Sequence, residues 1–410
     1  MLKHLPTLVV LLLFSAQAEA AIKLPTFFGD HMVIQRENTV PIWGSAKPGS
    51  TVTVTFAGQT ATASADDSGK WRAELKPLKA SSTPASLVVS SDGETPVTIA
   101  DVLVGDVWLG SGQSNMAGRV ASYAKNDATL DGILKKAPYP GIRLMQSGPA
   151  PTWTAATPEA VQSFSALHFA FGERLHRDLN IPIGLIVGAV GGTPSGYWIP
   201  PQIYELSEKC QASVLEFAKT YDKAAAMKQY EARLASFEKL AAKAKADGTR
   251  VRGRKPGPPS EPGGSTRGGK IGGLYQRYIE PVAGYRIRGV LWDQGEAGSG
   301  VLGVDQSIMM SELIRGWRDA WGQGDFPFLF VQKPSGGGCA WSNENPMTRN
   351  GDRFSATLPD INRLGSGSGR FLYTQLMLTN KDAWMVPASD LGSGIHPTNK
   401  WGYGNRAAEV

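Results

Sequence analysis

Cysteine is almost missing from the sequence, with 2 in 410 residues. Cys210 and Cys339 can make one bridge or stay as two buried thiols, and neither case supplies the disulfide framework of a small secreted scaffold. Histidine is scarce too, at 5. No Cys/His or His/carboxylate cluster has zinc-ligand spacing, so neither a metal nor another cofactor is expected. Charged residues make up 19% of the chain, below the roughly 25% of ordinary globular proteins, which excludes a solvating, disordered polymer. Beyond the amino terminus no apolar run reaches the about 20 residues that cross a bilayer, so no transmembrane segment is expected. The net charge of +6 is unevenly held: residues 219–270 carry 13 Lys/Arg against 5 Asp/Glu, a local +8, which leaves −2 for the remainder. A nucleic-acid partner is not expected.

What is present describes a packed protein. At 41% hydrophobic with 11 Trp, the chain can bury a sizeable core, and its length suggests two or three domains of about 100–200 residues. Residues 1–20 open with Lys3, run through the apolar stretch 8–14 and end in Ala18, Glu19 and Ala20. That is the pattern of a cleaved signal peptide, and it points to a secreted or periplasmic protein. Residues 21–100 show short alternating runs at 40–43, 51–56, 59–63, 71–75 and 86–90, broken by turns, as in a small antiparallel β-sandwich. From 101 to 410, apolar strands at 102–109, 183–190, 288–293 and 326–332 alternate with helical patterns at 164–179 and 306–321. This is the grammar of an α/β domain, a parallel sheet covered by helices. A basic helical and loop insertion at about 203–273 interrupts it and is read as a solvated arm, dispensable for chemistry.

Strand 102–109 runs into Gly110, Ser111, Gly112, Gln113, Ser114, Asn115 and Met116, which puts Ser114 at the carboxyl end of a sheet strand, where open α/β sheets build their sites. The stretch lacks the Gly-x-Ser-x-Gly of a nucleophile elbow, since Met116 stands where the second glycine would be. A serine nucleophile needs a base, and His396 in the Gly-rich loop that starts at Ser389 and Asp390 is the candidate. Strand 183–190 leads to Gly191, Gly192 and Thr193, and strand 288–293 to Gln294, Gly295 and Glu296. Glycine N–H groups and a glutamine amide suit an oxyanion hole, although the same residues also serve as a strand-end turn and a loop brace.

Ser111 to Met116, Gly191-Gly192-Thr193 followed by Trp198, Trp292-x-Gln294-Gly295-Glu296 and Ile395-His396-Pro397 occur in one order along the chain. Together they resemble the sialate O-acetylesterase family of the SGNH hydrolases. The opening stretch from Phe28 to Arg36, with Pro41, Ile42 and Trp43, is similar to that family's leading β-domain. The resemblance implies a flavodoxin-like three-layer sandwich, no metal, Ser114 as nucleophile and His396 as base. It implies an oxyanion hole of the Ser114 backbone, Gly192 and Gln294. The family's acid before the Ile-His pair is replaced here by Gly394, preceded by Ser393, and Ala297 stands where the family has serine. Asp390 is then the nearest acid in the loop for orienting His396, with Glu296 as its rival and a Ser-His dyad without an acid as the remaining option. Family members also continue beyond the histidine for longer than this chain, which ends at Val410.

The expected activity is hydrolysis of acetyl esters on a sugar or glycan through an acyl-enzyme, with Tyr197, Trp198 and Trp341 offering flat apolar surfaces to a sugar ring. A deacetylase of xylan, pectin or another polysaccharide would use the same residues. A non-catalytic carbohydrate-binding or envelope protein on this fold is the alternative from another class.

Overall fold

A computed structural model describes residues 22–251, 253–332, 376–388, 391–392 and 394–410. Residues 1–20, expected as a signal segment, and Cys339, Trp341 and Asp390 lie outside the described residues. Among the described residues no helix is long and apolar enough to cross a membrane, and Cys210 is a buried free thiol.

The first strands are β1 (Val33–Gln35), β2 (Val40–Ser45), β3 (Thr51–Phe56), β4 (Gln59–Ser64), β5 (Lys70–Leu75) and β6 (Ser81–Ser91). Alternation decides which face is buried: Val52, Val54 and Phe56 of β3 point inward, as do Trp71, Ala73 and Leu75 of β5. Strand β3 pairs antiparallel with β4 and β6, and β2 with β5. Only Ala57 and Gly58 separate β3 from β4, with φ of +48° and +76°. Such a short hairpin needs the left-handed region at both positions, so Ala57 stands where glycine is favoured.

Strand β7 (Val97–Gly112) is one 16-residue run. Its first half pairs with β6 and β1. Its second half lies between β10 (Ile183–Ala189) and β11 (Gly289–Asp293), parallel to both. Beyond them the order runs outward through β12 (Phe328–Val331) to β13 (Ala383–Val386) on one side, and through β8 (Tyr139–Gln146) to β9 (Trp153–Ala156) on the other. All these neighbours are parallel except the edge strand β9. After β7 the chain builds one side of the sheet and then the other, so the carboxyl end of β7 lies at the topological switch point.

Both faces of the sheet are covered. In β11, Val290 and Trp292 join one apolar cluster and Leu291 the other, so consecutive residues serve opposite cores. Helix α9 (Gln306–Trp321) packs Trp317 against Trp292 and Phe328. Helix α5 (Ala166–Leu179) and the last helix, Lys400–Glu409, cover the opposite face with Phe169, Phe171 and Tyr403. The Asp305 side chain caps α9 by accepting from Ser307 N, and Gly322 ends it at φ +57°. Ser165 and Asn180 do the same for α5.

The expected strand 102–109 is longer than the pattern showed, and the boundary set at 100–101 falls inside continuous β7. Strands β8 and β9 were not anticipated; Pro140 and Gly141 at the start of β8 read as turn residues. The insertion is helical through α6 (Pro201–Leu206), α7 (Glu208–Ala218) and α8 (Lys223–Ala246), and α8 buries no residue. Residues 260–273 correct the picture of a loose arm. Gly263 N donates to Leu302 O at 2.7 Å, Leu302 N to Gly264 O at 2.9 Å, Thr266 N to Gly300 O at 2.9 Å and Gly272 N to Gly196 O at 2.9 Å. This part of the insertion is laced into the loops that leave β10 and β11.

Candidate functional site

The end of β7 is held by its neighbours before it reaches Ser114. Gly112 has φ +131°, and a Cβ there would stand 2.2 Å from the Asp293 carbonyl oxygen, so only glycine lets β7 and β11 approach this closely. Val190 N donates to Gly112 O at 3.1 Å and Gln113 N to Asp293 O at 2.8 Å. The chain then turns into α1 (Ser114–Ala117), with Ser114 as its first residue and partly exposed. His396 is exposed, and its Nε2 lies 2.8 Å from Ser114 Oγ, although 282 residues separate the two.

Gly191 and Gly192 pass beside the serine. A Cβ on Gly191 would be 3.6 Å from Ser114 Cβ, while one on Gly192, at φ +73°, would meet nothing within 4 Å. Gly191 thus borders the serine, and the following Gly192 is exposed with open space beside it. Arg267 of the insertion donates to the Gly192 carbonyl through Nη1 at 3.4 Å. Sequence reasoning treated that arginine as part of a remote arm.

Gln294 is fully buried. Its Nε2 donates to Thr193 O at 3.3 Å and Gly298 O at 3.1 Å, and its Oε1 accepts from Gln306 Nε2 at 3.2 Å and from Ser195 Oγ. Both amide hydrogens are therefore placed on carbonyls, the loop-bracing arrangement, rather than aimed at a substrate oxygen. Glu296 receives Gln113 Nε2 at 2.5 Å and Asn115 Nδ2 at 3.5 Å, so its carboxylate ties down the residues on either side of Ser114.

Of the aromatic residues expected to meet a sugar, the two among the described residues, Tyr197 and Trp198, are covered. Trp198 has 0% exposure, donates to Thr193 Oγ1 at 3.0 Å and packs edge-on against Trp292. The Tyr197 hydroxyl accepts from Gly269 N at 2.8 Å, and a Cβ on Gly269 would stand 2.4 Å from the Tyr197 ring, so insertion backbone lies on that ring. Neither has a free face; both brace the site from behind.

Three contributors had no role in the sequence reading: Gln113 and Asn115, which belong to the serine's motif, and Lys400. Lys400 Nζ donates to Asn115 Oδ1 at 2.5 Å, and Asn115 Nδ2 donates to Ile395 O at 3.0 Å. A lysine flanked by buried aromatics at 401 and 403, four residues after His396, was the available signal.

Residues 104–233 match the family model described as carbohydrate esterase, sialic acid-specific acetylesterase. Human sialate O-acetylesterase is 28% identical over 366 residues, covering 80% of this chain and 60% of the human protein. The mouse sialate O-acetylesterase is 28% identical over 365 residues, covering 80% and 63%. The chain thus spans about 60% of the length of the curated relatives it matches. A carbohydrate acetylesterase from Xanthomonas citri shares the fold at TM-score 0.63, with 24% identity over 95% of this chain and 74% of that one. This chain is therefore similar in sequence to the sialate O-acetylesterases and in fold to a carbohydrate acetylesterase, and its segment 104–233 matches the sialic acid-specific acetylesterase family.

Proposed function

We propose that this protein is an exported carbohydrate O-acetylesterase that hydrolyses acetyl esters on a sugar through an acyl-enzyme. The single observation that carries the reading is the 2.8 Å approach of His396 Nε2 to Ser114 Oγ at the switch point of a parallel sheet. In this reading the α/β part, 101–410, is an SGNH hydrolase domain of flavodoxin type behind an amino-terminal β-sandwich at 21–100.

Ser114 Oγ attacks the acetyl carbonyl carbon while His396 Nε2 takes the hydroxyl proton. The carbonyl oxygen gains negative charge and is met by the backbone N–H groups of Ser114 and Gly192. Gln294 serves this step indirectly, by holding Thr193 next to Gly192. The imidazolium of His396 then gives its proton to the departing sugar oxygen, and the ester link to the sugar breaks. Water, deprotonated by His396, attacks the acetyl-Ser114 carbonyl and releases acetate and free serine. Because Nε2 faces the serine, Nδ1 is the nitrogen that must donate to an acceptor. We assign that acceptor to Asp390 and give Glu296 the task of fixing the nucleophile's turn through Gln113 and Asn115.

Acetate release from an activated acetate ester by the purified mature chain tests the reading. Turnover that disappears in Ser114→Ala is expected, and no acetate release by the folded wild-type protein refutes it.

A further inference from the structure

Lys400 is the first residue of the last helix, a place where the helix dipole disfavours a cation. Its side chain is also fully buried, and burial of an ammonium is costly without partners. The surroundings offset both. Nζ lies 4.7 Å from the Tyr123 ring centroid and 4.6 Å from that of Tyr403, within cation–π range, and donates to Asn115 Oδ1 at 2.5 Å.

The charge fixes the direction of one amide. An ammonium has donors only, so the Asn115 atom facing it must be the oxygen, and the nitrogen is turned the other way. There it donates to Ile395 O at 3.0 Å, the carbonyl joined to His396 N, and to Glu296 Oε1 at 3.5 Å. Asn115 is also bonded through the chain to Ser114. The amide thus joins the serine's helix to the backbone of the histidine's loop, and it does so correctly in only one of its two orientations.

We propose that Lys400 is a positioning residue for the esterase reaction, acting through the Asn115 amide on the Ile395 carbonyl to hold His396 against Ser114. The inference rests on Ser114 and His396 working together as proposed above. It goes beyond burial of a structural lysine because it places the effect on proton transfer and not on sugar binding.

Lys400→Met removes the charge and keeps the length. For this variant, kcat on a small acetate ester should fall at least about tenfold, with KM within about twofold, and labelling of Ser114 by a fluorophosphonate should slow in parallel. Asn115→Ala should lose a similar factor. The double variant should lose no more than the worse single one, because the two act in one chain. If Lys400→Met does not fold, Asn115→Asp decides, since it keeps an oxygen for Lys400 and removes the donor to Ile395; a tenfold loss of kcat with an unchanged melting temperature is expected. Wild-type kcat and labelling in a folded Lys400→Met or Asn115→Asp protein overturns the inference while leaving the esterase reading intact. Multiplying losses in the double variant also overturn it. Failure of the wild type itself to label overturns both.

Discussion

Arg267 reaches from the basic insertion to the carbonyl of Gly192, 3.4 Å away, one residue after the glycine that borders Ser114. The insertion is therefore two things in sequence: an exposed helix, α8, followed by a strap that lies against the site. Replacing residues 250–258 by a short Gly/Ser linker should leave turnover of a small ester within about twofold, because such linkers stay flexible and make no contacts of their own. Removing 260–272 should lower both the melting temperature and kcat, since it strips the bonds to Gly196, Gly300 and Leu302. Melting curves and kinetics of the two deletions, side by side, check this; equal tolerance of both refutes the division.

Ser114→Ala should cost of order 10³-fold or more in kcat with the fold intact, as removal of a nucleophile leaves only binding and oxyanion stabilisation. Circular dichroism and acetate release on the same preparation measure it.

The acid is settled by Asp390→Asn and Glu296→Gln, each of which keeps size and removes charge. Neutralising the residue that orients the histidine should cost about 10³-fold or more in kcat. We expect that loss in Asp390→Asn. Glu296→Gln should lose less, through a loosened hold on Gln113 and Asn115. The reverse ranking would transfer the role to Glu296.

Gln294→Leu should destabilise the protein by about 1–3 kcal/mol, because it removes the buried hydrogen bonds to Ser195, Thr193, Gly298 and Gln306, even though Ser195 and Gln306 keep a bond to each other and Gly298 O keeps one from Ser195 N. Urea unfolding reads that cost, and kcat should fall with it as Gly192 loses its support. Undiminished stability with a large fall in kcat would instead make Gln294 a direct oxyanion donor.

His168 gives a pH signature unrelated to the site. Burial pushes its imidazole down from 6.5 to about 4, and its Nε2 donates to Trp108 O at 3.1 Å as a neutral ring. Below pH 6.5 the unfolded chain binds a proton that the folded one refuses, so stability falls as pH drops toward 4. By pH 5 the loss from this group should reach about 2 kcal/mol. Urea midpoints at pH 7 and pH 5 should therefore separate more in the wild type than in His168→Gln.

Much of this was legible because period and position are local properties. Helix α9 begins and ends where its pattern does, at Gln306 and Trp321, and Ser114 announced itself by following an apolar strand directly. What covers a residue is not local. Nothing near Tyr197 in the sequence says that the backbone of Gly269 will lie on its ring. Gln294 reads equally as donor or brace until the carbonyls of Thr193 and Gly298 are in place. Lys400 resembled any charged residue opening a helix, and its burial comes from Tyr123, far back in the chain.

Strand β7 works as a ruler between distant parts of the molecule. Val33 is paired with Leu103 and Val89 with Val97, while the other end of the same ladder pairs Gly112 with Asp293 and Ala189. The irregular pairing with β6 and the positive φ of Asp101 fall in its first half, and from Asp106 onward a slip of one residue would turn every following side chain to the opposite face. At the serine end that phase is held on both sides, by β10 from Asp106 to Gly112 and by β11 from Trp108 to Gly112, so a strand grafted in place of either would have to reproduce it before any chemistry could be recovered.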